Sequence, residues 1–184
     1  MLRQDFEQQT KKLIGHSITH VDYLEIDYTD KSGNPVKKPN WNRDKQFDSL
    51  DYGLDLITES GDVFWISWGC EFTCYGISII LNPIDNHKKN MRIWDVSYNS
   101  GWRSFIGQKI TNIRIDWEQV NTDSNSIEYP QALEITFAAN SHIYISVLEL
   151  MSNGDWLGGI DQITIFYPSF ASRSVLGDFY SETE

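Results

Sequence analysis

Two cysteines, Cys70 and Cys74, and four histidines, His16, His20, His87 and His142, are the side chains of this chain best suited to metal or nucleophile chemistry. Cys70-x3-Cys74 offers at best half of a structural zinc site. Such sites take four ligands in two closely spaced pairs, and no second Cys or His pair completes this one. A disulfide between the two does not suit a cytosolic chain, so both read as small buried thiols. His16 and His20 stand four apart, a spacing that converges on an ion only in a helix. Here the pattern is that of a strand beginning, where the two would share a face but lie about 13 Å apart at 3.3 Å per residue. HExxH, GxSxG, a Walker loop and GxGxxG do not occur. Glu71 and Glu149 follow two similar hairpins, and two carboxylates facing each other across a cleft suffice for glycoside hydrolysis. At strand ends, however, carboxylates are ordinarily solvated. No catalytic residue, metal ligand or cofactor is assigned, and the chain reads as non-enzymatic.

Charge points elsewhere. The formal net charge is −11, and it is unevenly spread. After Arg114 the only Lys or Arg is Arg173, against eleven Asp and Glu. Phosphate backbones need Lys and Arg to neutralise them, so nucleic acid is excluded as a partner. An acidic half suits a basic protein partner, and it also keeps a protein soluble. The Gly-rich connection around MSNGDWLGG reads as a surface loop, and Glu149, Asp155, Trp156 and Asp161 are its candidate partner-binding residues. Trp156 is either an aromatic anchor ringed by charge or a plug folded back on the core. Trp41 poses the same choice in the polar stretch 29–50, which reads as a loop or short ribbon holding five basic residues.

With 184 residues, 40% hydrophobic and 14% aromatic, the chain suits one folded domain over 1–184. No run approaches the roughly 20 apolar residues of a membrane span, and the polar start MLRQDFEQQTKK lacks the apolar core of a secretory signal. The expectation is a cytoplasmic protein; its oligomeric state is left open.

These residues must be positioned by strands, and the strands repeat. LDLITESGDVFWISW at 54–68 aligns without a gap on LEITFAANSHIYISV at 133–147, with Gly61 meeting Asn140 at a turn. Both residue types tolerate positive φ. Upstream, LIGHSITHV at 13–21 matches FIGQKITNI at 105–113 in the same order. Two pseudo-repeated halves follow, about 10–83 and 102–168, each ending in a strand and a proline. Phe64, Ile66, Ile143 and Ile145 are expected inside. Residues 2–13 form a predicted amphipathic helix with Leu2, Phe6 and Leu13 on one face, ended by Gly15 and available to cover Trp65. The alternation slips phase between Val21-x-Tyr23 and Leu24-x-Ile26, which predicts a β-bulge near Tyr23. ISIIL, MRIWDV and ITIFY read as further strands, NSGWRSFIG as a helical turn, and the last residues from 172 as a loosely held tail. The fold class is mainly β, at the margin α+β: an antiparallel sandwich or partly open barrel with an N-terminal helix. An up-and-down barrel with an internal cavity is the alternative.

The segments DYGLDLITESGDVFWISWGCEFTCYGISI, SGWRSFIGQKI and YPQALEITFAANSHIYISVLELM resemble a group of uncharacterised bacterial proteins. The group includes acidic single-domain immunity proteins of contact-dependent or polymorphic toxin systems. The resemblance spans about Leu13 to Tyr167, and its motifs are structural. It implies a cytoplasmic binding protein without a cofactor and transfers no functional residue.

The function expected is therefore protein binding, as an immunity protein neutralising a basic toxin. The alternative is a domain that binds a small ligand or carbohydrate on exposed aromatics, motivated by seven Trp.

Overall fold

Strict alternation of apolar residues in each repeat produces strands, and the turn residues between them produce hairpins. In the computed structural model, which describes residues 1–29, 31–35, 39, 41, 47–72, 75–84, 88–121 and 126–167, these hairpins are β3 (Gly53–Thr58) with β4 (Val63–Gly69), and β8 (Ser126–Phe137) with β9 (His142–Ser146). Gly61 and Asn140 both take positive φ at the turns, 84° and 55°. The rest of the chain supplies α1 (Arg3–Lys11), β1 (Ile18–Ile26), β2 (Phe47–Leu50), β5 (Gly76–Leu81), β6 (Met91–Asp95), β7 (Ile110–Asn121), β10 (Leu148–Leu150), β11 (Trp156–Gly158) and β12 (Ile163–Phe166).

The strands form two five-stranded antiparallel sheets, ordered β5-β4-β3-β1-β6 and β2-β12-β9-β8-β7, and a separate β10-β11 hairpin. The duplication is visible in the register. Leu54 pairs with Ile66 and Leu56 with Phe64, while Leu133 pairs with Ile145 and Ile135 with Ile143. Preceding strands match too: Val21 pairs with Leu56 and Ile113 with Ile135. β1, β3, β4 and β5 thus correspond to β7, β8, β9 and β12. Even the irregularity is repeated, because both first strands carry a bulge just after their opening Ile, between Ile18 and His20 and between Ile110 and Asn112.

The bulge therefore lies before Val21, not near Tyr23. From His20 to Leu24 the register with β3 is unbroken, and Leu24 is buried on the outer face of its sheet. A strand covered on both faces has no need to restore its phase. The inner faces share one apolar cluster, to which Phe64, Ile66, Ile143 and Ile145 all belong. Each sheet keeps its edge strands among the described residues, so the sandwich is not a closed barrel.

α1 packs against β5 and β7 rather than over Trp65. Its Phe6 meets the rings of Phe72 and Trp117 edge-on, at 5.8 Å in each case. Leu2 lies at the N-cap, outside the helical turns, and is exposed. Two loop expectations are also revised. Residues 47–50 of the 29–50 stretch are strand β2, paired with β12 in the sheet of the opposite half. The Gly-rich connection folds as β10-β11, whose Leu148 and Trp156 cover Phe47 and Phe166 on the outer face of the second sheet. The C-terminal tail and the middle of the 29–50 loop lie outside the described residues. Among those described, no helix is long and apolar enough to cross a membrane.

Candidate functional site

β2 runs in the second sheet and β3 in the first, so the chain changes sheets at Asp51–Tyr52. Gly53 follows directly, and a Cβ there would collide with the Ile66 carbonyl oxygen. A close backbone approach thus makes the turn possible. A cleft of about 220 Å³ opens at this crossover, lined by Ile26, Tyr28, Asp51, Trp68, Glu149, Asp161 and Gln162. Among the described residues, three carboxylates line it and no Lys or Arg does.

Neighbouring groups register that negative field. Burial, then the Asp51 carboxylate, and beyond it Asp161 and Glu25 raise the Tyr28 pKa. The Trp68 indole N–H donates to the Asp51 carbonyl oxygen at 3.0 Å, which fixes its ring in the wall. One Asp51 carboxylate oxygen, Oδ2, is buried with no hydrogen-bond partner. Gln162 is only 6% exposed.

Of the four partner-binding candidates, the structure places Glu149 and Asp161 together in this cleft. Asp155 is exposed at the turn of β10-β11, where Asn153 caps it at 2.6 Å. Trp156 folds back, edge-on to Phe47 and Phe166 at 5.1 Å from each ring. Leu150, Met151 and Leu157 stand exposed on the same hairpin. Sequence reasoning missed Asp51, Tyr28, Trp68 and Gln162, because only the sheet crossover brings them beside Glu149. Glu71, considered as a partner of Glu149, is not in the cleft; its carboxylate accepts from Ser78 Oγ at 2.8 Å.

A second polar cluster lies on the outer face of the first sheet. His20 Nε2 is 2.9 Å from Asp22 Oδ1, and His20 Nδ1 is 3.0 Å from Ser97 Oγ. These are the separations of a serine hydrolase triad. Ser97 is fully buried, however. Its oxygen accepts the Val21 N–H at 3.0 Å and donates to Asp95 at 2.7 Å. A sealed, doubly engaged hydroxyl presents no nucleophile to a substrate.

His20, Asp22 and Asp95 also place one nitrogen and two oxygens within 4.8 Å of one another, a donor set for a divalent ion. A cation is already at hand. Lys88 Nζ sits 2.7 Å from the fully buried Asp55 and 3.4 Å from Asp22. Burial would lower the Lys88 pKa, but hydrogen bonds and charge from Asp55 and Asp22 outweigh it and the pKa rises. The Ser97 hydroxyl, then its N–H, hold Asp95 below the usual carboxylate range.

The matching row of the second sheet carries its own cation. Arg114 there bonds Glu134 and Asp116, at 2.7 Å each, and Tyr144 beside them is pushed up to about 12, by burial first and then by Glu134. The corresponding rows of both halves each set a cation among carboxylates, Lys88 in one and Arg114 in the other, which identifies the His20 cluster as part of the framework. Cys70 is exposed, contrary to the buried-thiol expectation, because it falls just past the end of β4. Cys74 and His87 lie outside the described residues.

A third network is internal. Tyr23, Asp48 and Tyr167 form a triangle of oxygens with sides of 2.8, 2.6 and 2.8 Å, to which the Trp102 indole N–H donates at 2.6 Å. Burial raises the Asp48 pKa, while hydrogen bonds from Tyr167 and Tyr23 draw it back. Three oxygen–oxygen edges and two phenolic protons leave one edge without a proton unless Asp48 is neutral. Trp41 closes this region, buried and edge-on to Tyr23 at 5.2 Å. None of the seven Trp is among the exposed large residues.

Comparison with protein-family models, with curated proteins and with solved structures finds no match for this chain.

Proposed function

We propose that this protein is a non-enzymatic binding module whose acidic second half meets a basic protein, in the manner of an immunity protein blocking a basic toxin. The supporting observation is the cleft at the sheet crossover, where Asp51, Glu149 and Asp161 converge and, among the described residues, no Lys or Arg lines the wall. Around it, Asp155 and the exposed Leu150, Met151 and Leu157 give the β10-β11 hairpin an apolar surface with acidic neighbours. That composition suits a protein interface better than a small-molecule cavity. At about 220 Å³ the cleft is also below the usual size of ligand pockets.

Tagged wild-type protein and a Glu149→Lys/Asp161→Lys variant are compared for capture of partners from cell extract at low and high salt. The expected result is a basic protein that is retained by wild type, released by salt, and lost from the variant while its melting temperature is unchanged. Identical capture by both proteins would overturn the reading.

A further inference from the structure

We infer that the cleft at the sheet crossover is a receptor for one arginine side chain, presented by the basic partner. This rests on the reading of the protein as a binder of a basic protein and names the group that the site recognises.

The first observation is the acceptor set. Asp51, Glu149 and Asp161 line the space, and among the described residues no Lys or Arg does. The second is independent of charge. Gln162 is 6% exposed and lines the cleft, yet its side-chain amide has no hydrogen-bond partner among the described residues. The amide is not sealed from solvent, and its oxygen is a further acceptor for a ligand that carries several N–H groups. The unpartnered, buried Oδ2 of Asp51 adds to the local excess of acceptor over donor.

Guanidinium fits these demands better than ammonium. It presents five N–H donors in a rigid plane, so it can reach several acceptors spread around a cleft, whereas ammonium concentrates three donors at one point. It is also less strongly hydrated and stacks on aromatic faces. The walls include the Trp68 indole, held by its bond to the Asp51 carbonyl, and the Tyr28 ring. Ile26 offers apolar surface for the methylene stem. The volume of about 220 Å³ suits a single side chain rather than a folded loop or a nucleotide.

The test is a titration of 15N-labelled protein with N-acetyl-argininamide, with the lysine, citrulline and norleucine analogues run in parallel. The expected result is a saturable shift of the Trp68 indole and Gln162 side-chain resonances with the arginine compound. Binding should be several-fold weaker with lysine and absent with the other two, and Asp161→Asn and Glu149→Gln should each weaken arginine binding about tenfold. Equal shifts from citrulline or norleucine, or no saturable shift at the cleft, would overturn the inference. The two readings fail separately. If arginine binds here but partner capture ignores Glu149 and Asp161, the protein-binding reading falls. If capture depends on those carboxylates but no arginine compound binds, the arginine receptor falls alone.

Discussion

Ser17 and Lys109 occupy the same position in the two repeats, and they pair with each other in an antiparallel bridge. The repeat axis therefore passes between them. Around it the bonds are reciprocal: the Gly15 N–H donates to the Ile110 carbonyl at 2.9 Å, and the Gly107 N–H donates to the Ile18 carbonyl at 2.7 Å. Gly15 and Gly107 are themselves equivalent, as are Ile18 and Ile110. Further out, the Glu59 N–H reaches the Ser17 carbonyl as the Ala138 N–H reaches that of Lys109. The two halves thus meet corner to corner through the backbone, at the point where each first strand begins.

Gly15→Ala and Gly107→Ala should each cost about 1–2 kcal/mol, and by nearly equal amounts. Both residues take positive φ, 95° and 80°, and a Cβ at either meets no atom within 4 Å, so the cost is backbone strain alone. Urea denaturation of the two variants checks this. A neutral effect at one site beside a severe effect at the other would mean that the corner is not symmetric.

Asp48 makes stability depend on pH in an identifiable direction. Its pKa is raised in the folded protein, chiefly by burial. A carboxyl with a raised folded pKa contributes stability that is complete below the unfolded value, about 3.9, and is lost as pH rises through the folded value. Asp48→Asn cannot ionise. The advantage of wild type over this variant should therefore shrink steadily across that window in melts at increasing pH. A constant or growing advantage would contradict the assignment.

Lys88→Met leaves the buried Asp55 carboxylate without its ammonium partner. Removing one member of a fully buried pair costs about 3–5 kcal/mol. Because the Lys88 side chain is 29% exposed, about 1–3 kcal/mol is expected after screening. The double variant Lys88→Met/Asp55→Asn should recover part of the loss in denaturant melts. Since the Lys88 pKa is raised, the stabilisation should persist through neutral pH and disappear only as pH rises above the ordinary lysine range.

Trp156→Ala should lower the melting temperature, at a cost of about 2 kcal/mol for a half-buried ring, because the indole packs between Phe47 and Phe166. Asp155→Lys, at an exposed position one residue away, should leave the melting temperature unchanged. A thermal scan of both variants separates the pedestal of the hairpin from its surface.

The architecture was legible because alternation and turn chemistry are local. Gly61 and Asn140 mark equivalent turns whichever sheet receives them, and Phe64, Ile66, Ile143 and Ile145 face inward by period alone. The short partners were less legible. Phe47–Leu50 has too few residues for its alternation to stand out from the polar stretch around it, and its partner β12 lies at the far end of the chain. The site was half visible for the same reason. Glu149 and Asp161 belong to one acidic segment, whereas Asp51, Trp68 and Gln162 join them only through the change of sheet. Leu24 misled the bulge assignment because burial on both faces removes the alternation that a bulge is inferred from.

The pairing of β2 with β12 has a consequence for biosynthesis. Phe47–Leu50 leaves the ribosome long before Ile163–Phe166, the strand it docks on. The hairpin β3-β4 can form beside β1 as soon as it is made, because its contacts are close in sequence. The second sheet cannot gain its β2 edge until Ile163–Phe166 has been made. A nascent chain stalled before Ile163 therefore holds an unsatisfied strand edge and the uncovered ring of Phe47, surfaces of the kind that draw chaperones to an unfinished protein.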